Sequence, residues 1–125
     1  MQGKIPAGRS LIYFVRPESI MAGVQTYRVL VNDEPVANIP TGFYFAYSTT
    51  AGRVIVSAKT APSAMVILAP FTTINKPTLE VGAEAGKIAF IKIGVSFFGG
   101  PTLEQVDTAT GETLVAQSRD MNLRK

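Results

Sequence analysis

The 125-residue chain contains no cysteine, no histidine and no tryptophan. Without cysteine no disulfide can form, so cysteine usage gives no indication of the redox compartment. Without histidine and cysteine, Ser-His-Asp and Cys-His catalysis are excluded, and so are zinc sites with the usual ligands. These absences remove the commonest classes of hydrolase and metal site before any motif is considered.

Charged residues are also scarce, at 17% of the chain, where about a quarter is usual. The 12 Lys and Arg residues exceed the 9 Asp and Glu residues, which gives a net charge of +3, and the cations are scattered. A nucleic-acid-binding protein carries its basic residues in a patch or stripe, so no nucleic-acid partner is expected. The low charge fits a sheet protein in which some strands are apolar on both faces.

Long apolar runs are absent as well. No window approaches the roughly 18 apolar residues of a membrane helix, and residues 1–6 lack the apolar region of a signal peptide. We therefore expect no transmembrane segment, and membrane anchoring only if a leader with a lipidated cysteine has been removed. Helical periodicity is not sustained over ten residues anywhere in the chain.

What the chain does contain is a short unit that occurs twice, as Ala51–Val56 (AGRVIV) and as Ala85–Phe90 (AGKIAF). Each copy is a turn glycine, a cation, and then residues suited to a pleated strand. We therefore predict that Gly52 and Gly86 take a positive φ in tight turns that start strands.

The hydrophobic pattern predicts seven to nine short strands with turns about every 8–12 residues, and hence an all-β fold, an antiparallel β-sandwich. The predicted strands cover residues 10–16, 26–31, 36–39, 42–48, 53–60, 78–81, 87–95, 102–106 and 112–115. The last two form a hairpin across Asp107–Gly111. We expect one sandwich domain over residues 10–116, an N-terminal arm at 1–9, and a polar C-terminal tail at 117–125 that is a short helix or irregular.

Two positions are candidates for contact with a ligand. Alternation on strand 42–48 places Phe43, Phe45 and Tyr47 in the core and Tyr44 on the opposite face. Tyr44 is the best exposed aromatic for a sugar platform, with cross-strand packing as the alternative. Arg16 precedes Pro17 at a strand end, and it either contacts an anion or packs its stem along the sheet with an exposed or paired head.

The remaining polar residues give no catalytic pattern. Ser57 and Lys59 share one strand face and could approach each other, although a solvent-facing pair is the simpler interpretation. Asp33, Glu34 and Asp107 fall in predicted turns, where aspartate caps backbone amides. No calcium-loop pattern is present. We predict that the protein is not an enzyme and has no catalytic, cofactor-binding or metal-binding residue.

The segment 61–77 contains a wholly apolar stretch, Ala64–Ala69, between Pro62 and Pro70. A strand with one face in solvent alternates, so either both faces are buried in the core or one face meets a partner. Prolines are tolerated best at a sheet edge, and an exposed apolar edge invites pairing with another chain. The interaction alternative predicts a homo-oligomer or protein-partner contact through Met65, Ile67 and Phe71.

Several stretches of the chain, taken in order, resemble one bacterial family, DUF2846. They are Leu11–Pro17 (LIYFVRP), Val31–Ile39 (VNDEPVANI), Gly42–Phe45 (GFYF), Ala51–Val56, Ala85–Phe90 and Pro101–Asp107 (PTLEQVD). The resemblance spans about residues 10–115. The chain departs from the family in its enlarged segment at 61–77 and in having no leader or lipidation cysteine.

The resemblance implies an immunoglobulin-like or transthyretin-like sandwich that is made with a leader and is periplasmic or anchored in the outer membrane as a lipoprotein. It implies a non-enzymatic cell-envelope module that mediates protein interaction or has a structural role. The alternative is a module that binds a carbohydrate or another small ligand. No activity is established for the family, so no catalytic residue carries over.

Overall fold

The structure is a computed structural model that describes residues 7–18, 26–60, 77–95 and 101–121. These ranges contain nine strands and one helix. The elements are β1 (Arg9–Arg16), β2 (Tyr27–Val31), β3 (Glu34–Ile39), β4 (Phe43–Thr50), β5 (Gly52–Thr60), β6 (Thr78–Ala83), β7 (Ile88–Val95), β8 (Pro101–Val106), α1 (Thr108–Ala116) and β9 (Arg119–Asp120).

The strands form two sheets, a five-stranded sheet in the order β8-β7-β1-β4-β9 and a four-stranded sheet in the order β3-β2-β5-β6. The predicted all-β sandwich is therefore confirmed, with strand number at the top of the expected range. The four-stranded sheet is antiparallel. The five-stranded sheet is mixed, because β1 runs parallel to β7 and β4 runs parallel to β9. Parallel neighbours need a long connection between them, and the β1 to β7 connection contains the whole four-stranded sheet.

The side chains between the two sheets alternate along each strand with outward-facing residues, as a half-buried sheet requires. We call them the inner core: Ile12, Phe14, Tyr27, Val29, Val31, Ile39, Phe45, Val54, Val56, Val81, Ala83, Ile91 and Ile93. Phe14 and Phe45 lie opposite each other on β1 and β4, and their rings stack with centroids 5.0 Å apart. Phe43 and Tyr47 pack against this core while partly exposed, so the predicted inward face of β4 is confirmed.

A second cluster lies on the outer face of the five-stranded sheet, beneath α1. Its buried members are Tyr13, Val15, Phe90 and Val115, and we call it the outer cluster. The helix reaches the sheet through its two buried residues, Gly111 and Val115. A Cβ on Gly111 would overlap the Phe90 ring, so this glycine allows the close approach of helix and strand.

The two predicted turn glycines are confirmed. Gly52 opens β5 with φ at 140°, and Gly86 precedes β7 with φ at 77°. The turn between the predicted strands 26–31 and 36–39 is two residues shorter than expected, because β3 already begins at Glu34. Asn32 and Asp33 alone join β2 to β3, both with positive φ, which is the two-residue hairpin turn with the twist that antiparallel strands favour. Asn32 also accepts a hydrogen bond at its Oδ1 from the Ile55 backbone N–H, at 3.0 Å.

The predicted hairpin at the C-terminal end is wrong in its second half. Residues Thr108–Ala116 form α1, and Asp107 is its N-cap, with Oδ1 accepting from the Thr110 backbone N–H at 2.7 Å. Aspartate followed by glycine within a few residues is common to hairpin turns and to capped helices, and nine residues are too few to establish a helical period. Beyond residue 116, in the segment expected to be a tail, β9 pairs with β4.

Within the described ranges, no helix is both long enough and apolar enough to cross a lipid bilayer.

Candidate functional site

A pocket of about 340 Å³ lies at one end of the sandwich, where β1 and β7 finish and β8 begins. We call it the Arg16 pocket. Its lining includes Arg16 and Glu18 from the end of β1 and beyond, Lys92 and Gly94 from β7, and Thr102 and Glu104 from β8. Arg16 and Lys92, 76 positions apart in sequence, lie on parallel neighbouring strands, where Lys92 pairs with Val15. Lys92 therefore shares the outer face with Val15, whereas Arg16 points to the opposite face.

Arg16 ends β1 on the same side as Ile12 and Phe14, so its side chain faces between the sheets, and only 1% of its surface is exposed. Its Nη1 donates a hydrogen bond to the Ile39 carbonyl at 2.7 Å. Its guanidinium carbon lies 4.0 Å from the centroid of the Tyr27 ring. The arginine thus links the end of the five-stranded sheet to β2 and β3. Its guanidinium head is buried rather than exposed, and it is paired at Nη1.

The second terminal nitrogen of Arg16, Nη2, is also buried, and across the described part of the chain it has no hydrogen-bond partner. Burial lowers the pKa of Arg16, an effect that Tyr27 opposes, and burial raises the pKa of Tyr27, which Arg16 opposes. Arginine stays protonated in proteins, so a cation with an unused donor is held away from water. Leaving such a donor unpaired costs free energy, and in native structures it calls for a specific explanation.

The β7 and β8 side of the pocket is polar and partly open. Lys92 lies directly across from Glu104, and Gly94 lies directly across from Thr102. A Cβ on Gly94 would come within 2.8 Å of the Thr102 hydroxyl oxygen, so the glycine keeps this part of the lining unfilled. Lys92, Gly94, Thr102 and Glu104 alternate with inner-core residues along β7 and β8, so this polar part of the lining lies on the outer face of the five-stranded sheet. The Arg16 guanidinium lies on the other face, between the sheets.

Sequence reasoning named Arg16 but not its partners in the pocket. Lys92 and Glu104 come from strands whose pairing the sequence does not disclose. The available signal was Gly94, an isolated glycine inside an otherwise strand-like stretch, since such glycines often mark a close approach of backbone or ligand.

Tyr44 lies in a row of aromatic rings on the outer face of the five-stranded sheet. Its ring centroid is 6.0 Å from that of Tyr13, which in turn is 5.4 Å from that of Phe90. Burial raises the pKa of Tyr44, and the Asp120 carboxylate raises it further through its charge and through a hydrogen bond with the Tyr44 hydroxyl. The half-buried ring therefore takes part in the cross-strand packing that was its alternative role, and its use as a sugar platform stays a prediction.

Met65, Ile67 and Phe71 lie outside the described residues, so the contact expected of them stays a prediction. Ser57, expected to face solvent beside Lys59, is only 2% exposed. Its hydroxyl is therefore not accessible to a substrate at the surface. Across residues 7–18, 26–60, 77–95 and 101–121, no three His, Cys, Asp or Glu side chains group as they would around a metal ion.

The chain was compared with protein families, curated proteins and solved structures. Among the curated proteins nothing matches the chain. The N-terminal domain of AlgF from P. aeruginosa matches with a TM-score of 0.44 and 12% sequence identity, over 82% of this chain and 98% of that domain. The model of the DUF2846 family, described as protein of unknown function, matches residues 6–113. The resemblance found in the sequence is therefore confirmed, and the chain belongs to the DUF2846 family.

Proposed function

We propose that the protein is a non-enzymatic β-sandwich module of the bacterial cell envelope that acts by binding. The observation that carries this proposal is the Arg16 pocket, a recess of about 340 Å³ whose polar lining on the outer face of the five-stranded sheet comes from Lys92, Thr102 and Glu104. Ligand sites are concave and carry a small number of placed polar groups that orient the ligand.

The other polar side chains that could be suspected of chemistry have structural contacts instead. The Asp107 carboxylate caps α1, and the Asp120 carboxylate bonds to Tyr44, which fastens β9 to β4. Ser57 is enclosed. A hydrolytic site needs an accessible nucleophile and a base within hydrogen-bonding reach, so these positions favour a binding role over catalysis.

The place in the envelope is supported by what the family resemblance implies, a bacterial sandwich made with a leader. To test it, the gene product is expressed in its own bacterium from its natural start, with a C-terminal tag, and the cells are separated into cytosolic, periplasmic and membrane fractions. We expect the tag in the periplasmic or membrane fraction and its digestion by protease added to spheroplasts. A tag that stays cytosolic and protected would contradict the envelope assignment.

The binding role is tested with ligand-detected NMR on a mixture of amino acids, dipeptides, sugar phosphates and dicarboxylates. Gly94→Val fills the pocket, and Gly82→Val is the matched control, because Gly82 is a strand glycine outside the Arg16 pocket with no atom within 4 Å of its added Cβ. We expect at least one compound to bind the wild type and Gly82→Val but not Gly94→Val. Absence of any compound with this pattern would count against the pocket as a binding site.

A further inference from the structure

We propose that the outer face of the four-stranded sheet binds a phosphate group through Arg28, Lys59 and Asn38. This site is separate from the Arg16 pocket, whose strand residues belong to the five-stranded sheet, and it goes beyond the binding role proposed above. Two cations paired across neighbouring strands, the lack of a carboxylate bonded to them in the described residues, and a hydrogen bond that orients an amide support the site.

Arg28, Lys59 and Asn38 form one row across one face of the sheet. In the register of the strands, Arg28 of β2 lies directly across from Lys59 of β5 and from Asn38 of β3. Tyr27 and Val29, on either side of Arg28, belong to the inner core, so the row lies on the outer face. Both cations are partly exposed, and a ligand in solvent can therefore reach them.

Arg28 and Lys59 are like charges directly opposite each other, an arrangement that destabilises a sheet. Opposite charges stabilise one instead, and on the same face Arg53 forms an ion pair with Glu80. All nine Asp and Glu residues of the chain lie in the described ranges, and none of them forms an ion pair with Arg28 or Lys59. Glu80 lies across from Ile55, which is about 13 Å along β5 from Lys59. The protein therefore does not balance the charge of this pair.

The hydrogen bond between Arg28 and Asn38 leaves the row with unused donors. Nε of Arg28 donates to Oδ1 of Asn38 at 3.2 Å. Because Nε can only donate, this bond identifies the oxygen of the Asn38 amide and leaves the amide nitrogen as a donor. Within the described part of the chain, the terminal nitrogens of Arg28 and the Lys59 ammonium donate no hydrogen bond. The row thus offers donors from three side chains, and its one acceptor is already bonded.

A phosphate monoester matches this row better than a carboxylate does. It carries close to two negative charges at neutral pH, which is one for each cation, and it has three strong acceptor oxygens. The planar guanidinium of Arg28 can hold two of these oxygens, and the Lys59 ammonium can hold a third. A carboxylate has a single charge and two oxygens, so it would leave one cation unbalanced. The phosphate belongs either to a soluble ester or to a lipid headgroup.

The test is an NMR titration of ¹⁵N-labelled protein with glycerol 3-phosphate at constant ionic strength, with glycerate as the probe that carries a carboxylate instead. We expect glycerol 3-phosphate to shift the amide signals of Arg28, Asn38 and Lys59 and to bind at least about tenfold more tightly than glycerate. Lys59→Gln and Arg28→Gln should each lower the affinity for glycerol 3-phosphate at least about tenfold. Arg53→Gln is the matched control, because it removes one positive charge from the same face at the Glu80 ion pair, and it should retain the affinity of the wild type.

An equal loss of affinity in Lys59→Gln and Arg53→Gln would overturn the inference, because the ligand would then respond only to the net charge of the face. No binding of glycerol 3-phosphate, or equally tight binding of glycerate, would overturn it as well. Sedimentation with phosphatidylcholine vesicles that contain phosphatidic acid identifies the source of the phosphate. If the wild type and Arg53→Gln sediment with the vesicles but Lys59→Gln does not, the ligand is a lipid headgroup. If none of them sediments while glycerol 3-phosphate still binds, the ligand is a soluble ester.

Discussion

At the scale of single residues, Gly52 and Gly86 show how directly local sequence determines backbone conformation. Both occur in the repeated turn-and-strand unit, and both have a positive φ with no other atom within 4 Å of an added Cβ. Their requirement for glycine therefore comes from the backbone conformation alone. This is why the sequence was sufficient to predict them, since a local conformation needs no knowledge of distant neighbours.

Replacing either glycine with valine tests that reasoning. We expect Gly52→Val and Gly86→Val each to lower the free energy of unfolding by on the order of 1 kcal/mol or more, because valine is strained at positive φ. Chemical denaturation gives the values. Gly82→Val is the control, since Gly82 lies in β6 without positive φ and with open space around it. Neutral results at both turn positions would contradict the account of the repeated unit.

Asp107 gives a prediction of pH dependence. Two hydrogen bonds lower the pKa of this carboxyl below its ordinary value near 3.8. The larger effect comes from the Thr110 backbone N–H and the smaller one from the Thr110 side chain. A carboxyl with a lowered pKa in the folded state stabilises the fold above its unfolded-state pKa, and this contribution is lost as the pH falls through the folded-state pKa. We therefore expect the stability of the wild type to fall below about pH 4 more steeply than that of Asp107→Asn, which keeps a capping oxygen without titrating. If the free energy of unfolding of the wild type and of Asp107→Asn fell equally with decreasing pH, the Asp107 carboxyl would not contribute to the pH dependence of stability.

At the scale of elements, the strands were predictable and their partners were not. Eight strands fall where short apolar or alternating stretches bounded by turn residues predict them, because these signals are local to each strand. The parallel pairing of β1 with β7 depends on contacts between residues far apart in the chain, which no local pattern encodes. The Arg16 pocket is built across that pair, so its residues could not be grouped from the sequence.

The helix α1 is an element that the sequence pattern did not disclose. It depends on tertiary contact, because its Gly111 lies against the Phe90 ring where any side chain would overlap. In an isolated helix, replacing glycine with alanine is stabilising by about 1 kcal/mol. Here we expect Gly111→Ala to destabilise the protein by about 1–3 kcal/mol, since the added methyl overpacks the outer cluster.

Thermal or chemical unfolding of Gly111→Ala measures this effect. Glu112→Ala serves as the control, because Glu112 lies next to Gly111 in the same helix with its side chain exposed, and it should change the stability little. A stabilised Gly111→Ala would indicate that helix propensity outweighs the contact with Phe90, and it would contradict the packing described here.

At the scale of the whole molecule, the sequence predicts that further copies or protein partners bind to the sandwich. The apolar stretch Ala64–Ala69 is the strongest indication in the sequence that they do. We expect Ile67→Asp and Met65→Asp to stay folded and to convert an oligomer into a monomer, as measured by light scattering. A wild type that is monomeric at high concentration, with unfolding of both variants, would place these side chains in the monomer's own core.

The central claim is that the Arg16 pocket binds a small ligand through its polar lining on the outer face of the five-stranded sheet. A compound that binds only the folded protein raises the free energy of unfolding, and a side chain that fills the pocket removes this effect. The most direct measurement is denaturant unfolding of the wild type, Gly94→Val and the control Gly82→Val, each with and without a saturating concentration of the compound that ligand-detected NMR identifies. We predict that the compound stabilises the wild type and Gly82→Val but not Gly94→Val. Equal stabilisation of all three proteins, or stabilisation of none, would contradict the pocket as a binding site.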